Sequence, residues 1–247
     1  MKALGIDVGG SGIKGAIVDT RRGKLISERF RVKTPHPATP KAIAKVIAQV
    51  VKHFKWKGPI GCGMPGPIRH GTVMSMSNLD SSWVGAEAHE IFGKACGRNV
   101  KVLNDADAAG LAEMRFGAGK RKDGVVIIVT LGTGIGSAVF VHGRLLPNSE
   151  LGQIELRGKK AELRASARVR KVKNMTWTRW SMVLNEYLGT LEQLIWPDLF
   201  IIGGGVSRKA NKFLPHLTLC AKIVPARLHN EAGIIGAALS GGPKESS

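Results

Sequence analysis

Between Leu4 and Ile26 the chain reads LGIDVGGSGIKGAIVDTRRGKLI, and between Ile127 and Leu146 it reads IIVTLGTGIGSAVFVHGRLL. Each segment is an apolar strand, a turn of Gly with Ser or Thr, a second apolar strand, a short polar turn carrying Gly, and the start of a third strand. One unit used twice, at an interval too long for a solenoid, predicts two similar lobes that each open with a three-stranded antiparallel sheet, with a cleft between them. TPKAIAKVIAQVVKHF (39–54) has helical apolar spacing, with Thr39 as N-cap and Pro40 at the first helical position. IGCGM and KVLN read as strands, and DADAAGLAEMRF starts a helix directly after the second. In the other half, MTWTRWSMVLNEYLGTLEQLIW reads as a long helix, LFIIGG as a strand, SRKANKFL as a helix and AGIIGAALSG as a closing helix. The tail GGPKESS is polar and expected to be loose. Strand alternating with helix makes this an α/β protein. The expected division is an N-terminal lobe over 1–105, joined by a C-terminal helix over 232–247, and a C-terminal lobe over 106–231.

A turn of consecutive Gly and Ser lets backbone N–H groups converge on an anion without Cβ obstruction, and phosphate is the usual anion. One such turn is weak, because tight hairpins need glycine anyway; GGSGIK and GTGIGS at equivalent places in two lobes are stronger. Neither fits the Walker pattern, nor the Rossmann fingerprint, since a strand follows each turn. Asp7 ends the first strand, where its carboxylate either holds a hydrated Mg²⁺ beside phosphoryl oxygens or caps the turn. Lys14 either reaches the transferring phosphate or is an exposed strand lysine. In VLNDADAAG, Asn104 and Asp105 stand where a strand ends and a helix begins, so one side chain caps the helix while the other faces the cleft. A phosphoryl acceptor hydroxyl needs a positioned carboxylate to take its proton, and Asp105 is the best placed. Asp107, one turn in, suits helix-dipole or local hydrogen-bond roles.

The chain has 247 residues, 43% of them hydrophobic, enough to bury a real core. Its 37 Lys and Arg against 18 Asp and Glu leave a net charge of +19, a field that attracts polyanions. No zinc finger, basic zipper or aromatic RNA-binding strand is present, so nucleic acid is the weaker choice of polyanion. No stretch is long and apolar enough for a membrane span, and a strand follows Met1 at once, so a cytoplasmic protein is expected. Cys62, Cys96 and Cys220 build neither a disulfide framework nor a zinc site, and are expected as buried small apolar residues.

The order DVGGSGIK, NLDSSW, VLNDADAAG, LGTGIGS, PNSELGQIEL, AELRAS, IIGGGVS and AGIIGAA resembles the ROK family of sugar kinases. More narrowly it resembles the family's polyphosphate-glucokinase subgroup, including members that also accept ATP or mannose, along nearly the whole chain. The resemblance implies a two-lobed actin-like ATPase (RNase H-like) fold with the active site in the interlobe cleft. It implies Asp105 as the base that deprotonates the sugar 6-hydroxyl, and Asn78, Asn104, Glu150 and Glu162 as hydrogen-bonding partners of the sugar hydroxyls. It matches Asp7, Gly9, Gly10, Ser11 and Gly12 to the first phosphate motif, and Gly132, Thr133, Gly134 and Gly136 to the second. Gly203, Gly204 and Gly205 correspond to the segment that meets adenosine in ATP-using relatives. Two departures stand out. RGKKAELRAS lacks the Cys-rich zinc loop of many members, in keeping with the polyphosphate subgroup, and Gln153 stands beside the sugar where the family has His. Gln can hydrogen-bond in the same direction but cannot titrate.

These readings converge on transfer of the terminal phosphoryl group of polyphosphate to O6 of glucose, with Mg²⁺ as cofactor. A basic track would guide the polymer, with candidates Lys120, Arg121 and Lys122; Arg164, Arg168, Arg170, Lys171 and Lys173; and Arg208, Lys209 and Lys212. An ATP-dependent hexokinase of the same family, a non-catalytic sugar sensor and a general polyanion binder are the rivals. The resemblance implies a homodimer, for which the long helix is either an interface or core.

Overall fold

A computed structural model describes residues 1–242 of the 247. Residues 243–247, which carry most of the polar tail and the end of the range assigned to the closing helix, lie outside the described residues. The chain divides into two compact units, Met1–Ala112 with the chain from Glu231 onward, and Glu113–Asn230. Glu113, the first residue of the second unit, accepts hydrogen bonds from the N–H groups of Ala118, Arg227 and Leu228 in that same unit.

The first unit runs β1 (Lys2–Gly9), β2 (Gly12–Asp19), β3 (Lys24–Leu25), β4 (Phe30–Val32), α1 (Pro40–His53), β5 (Ile60–Met64), β6 (Ile68–Arg69), β7 (Thr72–Val73), α2 (Ala88–Cys96), β8 (Lys101–Asn104) and the start of α3 (Asp105–Phe116). Its main sheet has the order β3-β2-β1-β5-β8, with β4 also paired to β2. β1 and β2 are antiparallel with Gly9 opposite Gly12, while β1, β5 and β8 are parallel. Thr39 Oγ1 caps α1 by accepting from Ala42 N at 3.4 Å, ahead of Pro40. The apolar stripe of α1, Ile43, Ile47 and Val50, packs into one core with Leu4, Ile6 and Ile13. Glycines on the strands meet a different partner. A Cβ on Gly5 would overlap the carbonyl of Ile234, and one on Gly61 that of Ala237, both in the closing helix Ala232–Gly241. Gly236 of that helix meets the Ala108 carbonyl of α3 in the same way. Backbone therefore packs on backbone here, and no side chain fits between.

The second unit repeats the plan. It contains β9 (Val125–Leu131), β10 (Ile135–Val141), β11 (Arg144–Leu146), β12 (Glu155–Leu156), β13 (Lys159–Lys160), α4 (Glu162–Ala165), α5 (Ala167–Val172), α6 (Trp177–Ile195), β14 (Leu199–Gly203) and β15 (Lys222–Pro225). The sheet order is β11-β10-β9-β14-β15, with two antiparallel pairings followed by two parallel ones, as in the first unit. Thr176 caps α6 by accepting from Arg179 N at 3.2 Å. Trp180, Leu184, Tyr187, Leu188 and Leu191 bury its inner face, so that face is core, while Met182, Leu194 and Trp196 stay exposed at its other side and end.

Two expectations need correction. SRKANKFL is not an α-helix: Gly205–Lys212 is 3-10 helix broken at Lys209, and Leu214–His216 is a second short turn through Pro215. The segment starts from left-handed Gly204 and offers little apolar surface to bury, so propensity alone cannot hold a longer helix. Of the cysteines, Cys62 is buried, its thiol pushed well above the usual range by burial and then by the charge of Asp7, and half-buried Cys96 is pushed up to about 11 by burial. Cys220 is exposed: in the loop before β15 Leu217, Leu219 and Ala221 pack toward the core while Thr218 and Cys220 stay exposed, and the N–H groups of Cys220 and Ala221 bond to Glu192. Among the described residues no helix is long and apolar enough to cross a membrane.

Candidate functional site

In the first unit the carboxyl ends of the parallel strands β1, β5 and β8 share one sheet edge, the edge at which open α/β sheets bind ligands. Asp7 pairs with Gly63, and Met64 with Asn104, so the first glycine turn, Met64–Gly66 and the start of α3 are neighbours there. Lys14 Nζ stands 3.3 Å from Asp7 Oδ2, so the lysine is the ion-pair partner of the carboxylate. Gly233, in the first turn of the closing helix, leaves the other side of Asp7 clear: a Cβ there would come within 3.3 Å of the carboxylate. The partial positive charge of that helix end favours the carboxylate.

The turn itself is a tight hairpin. Gly9, Gly10 and Gly12 do not sit at positive φ, so crowding rather than backbone twist is what disfavours a side chain there. A Cβ on Gly10 would stand 3.3 Å from the Asn78 carbonyl, which brings exposed Asn78 beside the hairpin. A Cβ on Gly12 would stand 2.7 Å from Arg31 Nε. Arg31 Nη2 also donates to Ser11 O at 3.2 Å, and buried Thr34 donates to Gly9 O at 2.6 Å. Arg31 is thus a guanidinium laid over the first glycine turn, directly opposite Lys14 in the β2–β4 pairing. Sequence reasoning missed it.

Asn104 and Asp105 divide their work as their position requires. Asn104 is the cap: its Oδ1 accepts from Ala106 N at 2.8 Å and Asp107 N at 3.0 Å, and its Nδ2 donates to Gly66 O at 3.1 Å. It is only 4% exposed, so its amide chiefly positions the helix start. Asp105 is half-buried over β5, where a Cβ on Gly63 would stand 3.5 Å from its Cα. The turn that carries the carboxylate thus packs directly on the strand at Gly63. Asp107, two residues further on in the same first turn, is buried.

In the second unit, the second glycine turn is Gly132–Thr133–Gly134, closed by Gly132 N donating to Gly134 O at 3.0 Å. Gly136 lies beyond it, within β10 opposite Thr130. A Cβ on Gly134 would overlap Glu162 Oε2, so that carboxylate lies against the turn. Gln153 Nε2 donates to Glu162 Oε1 at 3.0 Å, and Gln153 N to Glu150 O at 2.9 Å. Gln153, Glu150 and Glu162 are therefore one group beside the second turn. Arg168 N donates to Gly132 O at 3.0 Å, which also brings the start of α5 to the turn. Gly203 ends β14 opposite Thr130, and Gly204 takes φ +80°, where a Cβ would overlap the Leu131 carbonyl. The Gly203–Gly205 segment accordingly abuts the residue that leads into the second turn.

Two members of the anticipated basic track have other duties. Arg164 and Arg157 bind Glu186 at 2.8 and 2.6 Å; burial raises that carboxyl, but the two guanidiniums outweigh it and hold it below its ordinary value. Arg170 lies 3.9 Å over the Trp177 ring and donates to Met175 O. Arg168, Lys171 and Lys173 remain exposed. Among the described residues, the side chains close enough to hold a metal at three points are Glu87, His89 and Glu90 at the start of α2, with Glu90 tied to Lys94 at 3.1 Å. Asp7 is not part of that group.

Residues 3–152 match the model of the ROK family. The chain is 52% identical to the polyphosphate glucokinase of Mycobacterium tuberculosis (strain CDC 1551 / Oshkosh) over 238 residues, 96% of this chain and 90% of that one. Its fold is similar to the crystal structure of the inorganic polyphosphate/ATP-glucomannokinase from Arthrobacter sp. strain KM, with a TM-score of 0.93, 48% identity and coverage of 96% and 97%. It is also similar to a ROK family glucokinase from Streptomyces griseus in complex with glucose and AMPPNP, with a TM-score of 0.84, 25% identity and coverage of 96% and 98%. The two glycine turns on repeated sheets, the Asn104-capped helix that begins with Asp105 and these near-full-length matches agree: the chain belongs to the ROK family.

Proposed function

We propose that this protein is a polyphosphate glucokinase, which transfers the terminal phosphoryl group of inorganic polyphosphate to the 6-hydroxyl of glucose. The observation that carries the reading is the 52% identity, over 96% of the chain, to a polyphosphate glucokinase. The local geometry supports it. Asp105 accepts the O6 proton as that oxygen attacks the terminal phosphorus; the bridging P–O bond breaks and a polyphosphate one unit shorter leaves. Backbone N–H groups of the Gly9–Gly12 hairpin in one unit, and of the Gly132–Gly134 turn beyond the Gly132 N–H that closes it in the other, hold phosphoryl oxygens. Asn78, Asn104, Glu150, Gln153 and Glu162 read the sugar hydroxyls, Asn104 by fixing the strand-to-helix junction. A wrong epimer leaves such groups without partners, which is how a polar site discriminates. The two compact units are the kinase's two lobes.

Asp7 offers one carboxylate, already paired with Lys14, and such a donor set fits a hydrated Mg²⁺ held through water rather than a bare ion. The cation would supply neutralisation of charge on the phosphoryl oxygens. ATP as a second donor, mannose as a second acceptor, a cytoplasmic setting, a role in glycolysis and a homodimer complete the proposal. Exposed Met182, Leu194 and Trp196 on and just after α6 offer apolar surface for the dimer.

Glucose 6-phosphate formation with Mg²⁺, measured with long-chain polyphosphate and with ATP in matched reactions, tests the reading. Faster turnover on polyphosphate is expected. Turnover on ATP alone would make the protein an ordinary glucokinase, and salt-sensitive DNA retention without sugar turnover would make it a polyanion binder.

Two substitutions probe the parts. Arg31 presents donors over the first turn, so Arg31→Ala is expected to raise the donor KM about tenfold while the glucose KM stays put. Equal shifts in both would mean that Arg31 merely braces the hairpin. Gln153→His restores a titrating group on Glu162, and the glucose KM is expected to acquire a pH dependence centred near the ordinary imidazole value, about 6.5. A flat profile from pH 5 to 8 in the variant, as in the parent, would show that position 153 does not act on the sugar.

A further inference from the structure

The second unit holds a pocket of ≈ 790 Å³, within the ordinary range for ligand sites. Its lining brings together Lys122, Arg208, Lys222, Arg227 and His229, with no carboxylate and no aromatic ring other than the imidazole. All five side chains belong to exposed residues, and none of the four permanent cations has an ion-pair partner among the described residues. Charges of one sign gathered in a concave site focus the field on an anion.

The shape of the site matters as much as its charge. Lys222, Val224 and Pro225 of β15 and Ala226 and Arg227 just after it all line the pocket, so it runs along the length of that edge strand. At about 3.3 Å per residue, Lys222 to Ala226 spans roughly 13 Å. One end begins beside the glycine segment: Ser207 Oγ donates to Gly204 O at 2.8 Å and stands 3.5 Å from His229 Nδ1, and Gly204 abuts Leu131, the residue before the second glycine turn. Arg227 follows that end of β15, Lys222 stands at the far end of the strand opposite Leu199, and Arg208 and Lys122 line the same pocket. A nucleoside would find no ring to stack on and would leave most of these charges unanswered. A linear chain of phosphates answers each in turn.

We infer that this groove is the seat of the donor's distal, non-transferred phosphates, a binding site for linear polyphosphate that leads away from the second glycine turn. The inference rests on the proposed donor and gives it an address. It also sorts the basic residues. Lys122 and Arg208, far apart in sequence, belong to one site with Lys222 and Arg227, whereas Arg164 and Arg170 do not.

The test is an Arg208→Gln/Lys222→Gln protein, with Lys41→Gln/Lys45→Gln on the exposed face of α1 as a control for net charge. KM is measured for long-chain polyphosphate, tripolyphosphate, ATP and glucose, and long-chain polyphosphate binding is followed in parallel by titration calorimetry. The pocket variant is expected to raise the long-chain KM about tenfold and to lower the slope of log KM against log salt by about two, one for each cation removed. The KM values for tripolyphosphate and glucose are expected to stay within about twofold of the parent's. Unchanged long-chain KM and salt slope would overturn the site, and so would an equal rise with ATP, which would make it a nucleotide site. If the parent phosphorylates no glucose with polyphosphate, the donor reading fails. Calorimetric binding that weakens only in the pocket variant would then uphold the groove as a polyphosphate site, and binding equal in parent and variant would overturn it.

Discussion

Asp105→Asn is expected to leave the protein folded, with its donor KM intact, and to cut kcat by roughly two to four orders of magnitude, the usual worth of a positioned general base. The substitution is close to isosteric and removes the proton acceptor. It does not disturb the helix start, because the cap of α3 is Asn104, whose Oδ1 holds the N–H groups of Ala106 and Asp107. A glucose 6-phosphate assay at saturating sugar and donor, run beside a thermal melt, reads both halves of the expectation. Turnover within tenfold of the parent at an unchanged Tm would take the base role from Asp105. Asn104→Ala is the contrasting case: it loses the cap and the bond to Gly66 O, which costs about 1 kcal/mol of stability from the cap alone. There the melt and the rate fall together.

What the sequence made legible was whatever is encoded within one element or one turn. The repeated strand–glycine turn–strand unit announced itself because both the alternation and the turn chemistry are local, and the two sheets do share one pairing pattern. α3 began at Asp105 and α1 behind Thr39 for the same reason. The parts that stayed hidden depend on contacts between distant segments. Arg31 reaches the first glycine turn only through the register of β4 on β2, and its own stretch, SERFRVK, carries no motif. The basic runs looked alike as sequence, yet Arg164 is held by Glu186 and Arg170 by Trp177, while Lys122 and Arg208 meet in a groove. A lysine or arginine written in a row says nothing about which carboxylate will claim it. Asn104 and Asp105 were readable as a pair, one for capping and one for chemistry, but only the backbone at the strand end decided which was which.

The largest stability effect is expected at a residue with no motif at all. Glu113 is 1% exposed, and its carboxylate accepts three backbone N–H groups: Ala118 at 2.8 Å, Leu228 at 2.7 Å and Arg227 at 3.2 Å, the last two 115 and 114 residues away. Gly117 is glycine because a Cβ there would overlap that carboxylate. Glu113→Ala leaves three N–H groups without their acceptor and a void where the side chain was, so a loss of about 3 to 5 kcal/mol is expected. At about 2 to 4 °C per kcal/mol for a chain of this size, Tm should fall by roughly 10 °C. Glu113→Gln supplies one acceptor oxygen but turns an amide N–H₂ toward backbone donors, and an intermediate loss is expected. The same carboxylate ties Ala118 to Arg227, two residues that line the basic groove. Below its melting point the Glu113→Ala protein should therefore also bind polyphosphate more weakly, with the glucose KM little changed. Urea unfolding with an unchanged m-value would assign the effect to the native state. A Tm within 2 °C of the parent would mean that water replaces the carboxylate at all three N–H groups, and that the groove keeps its shape without it.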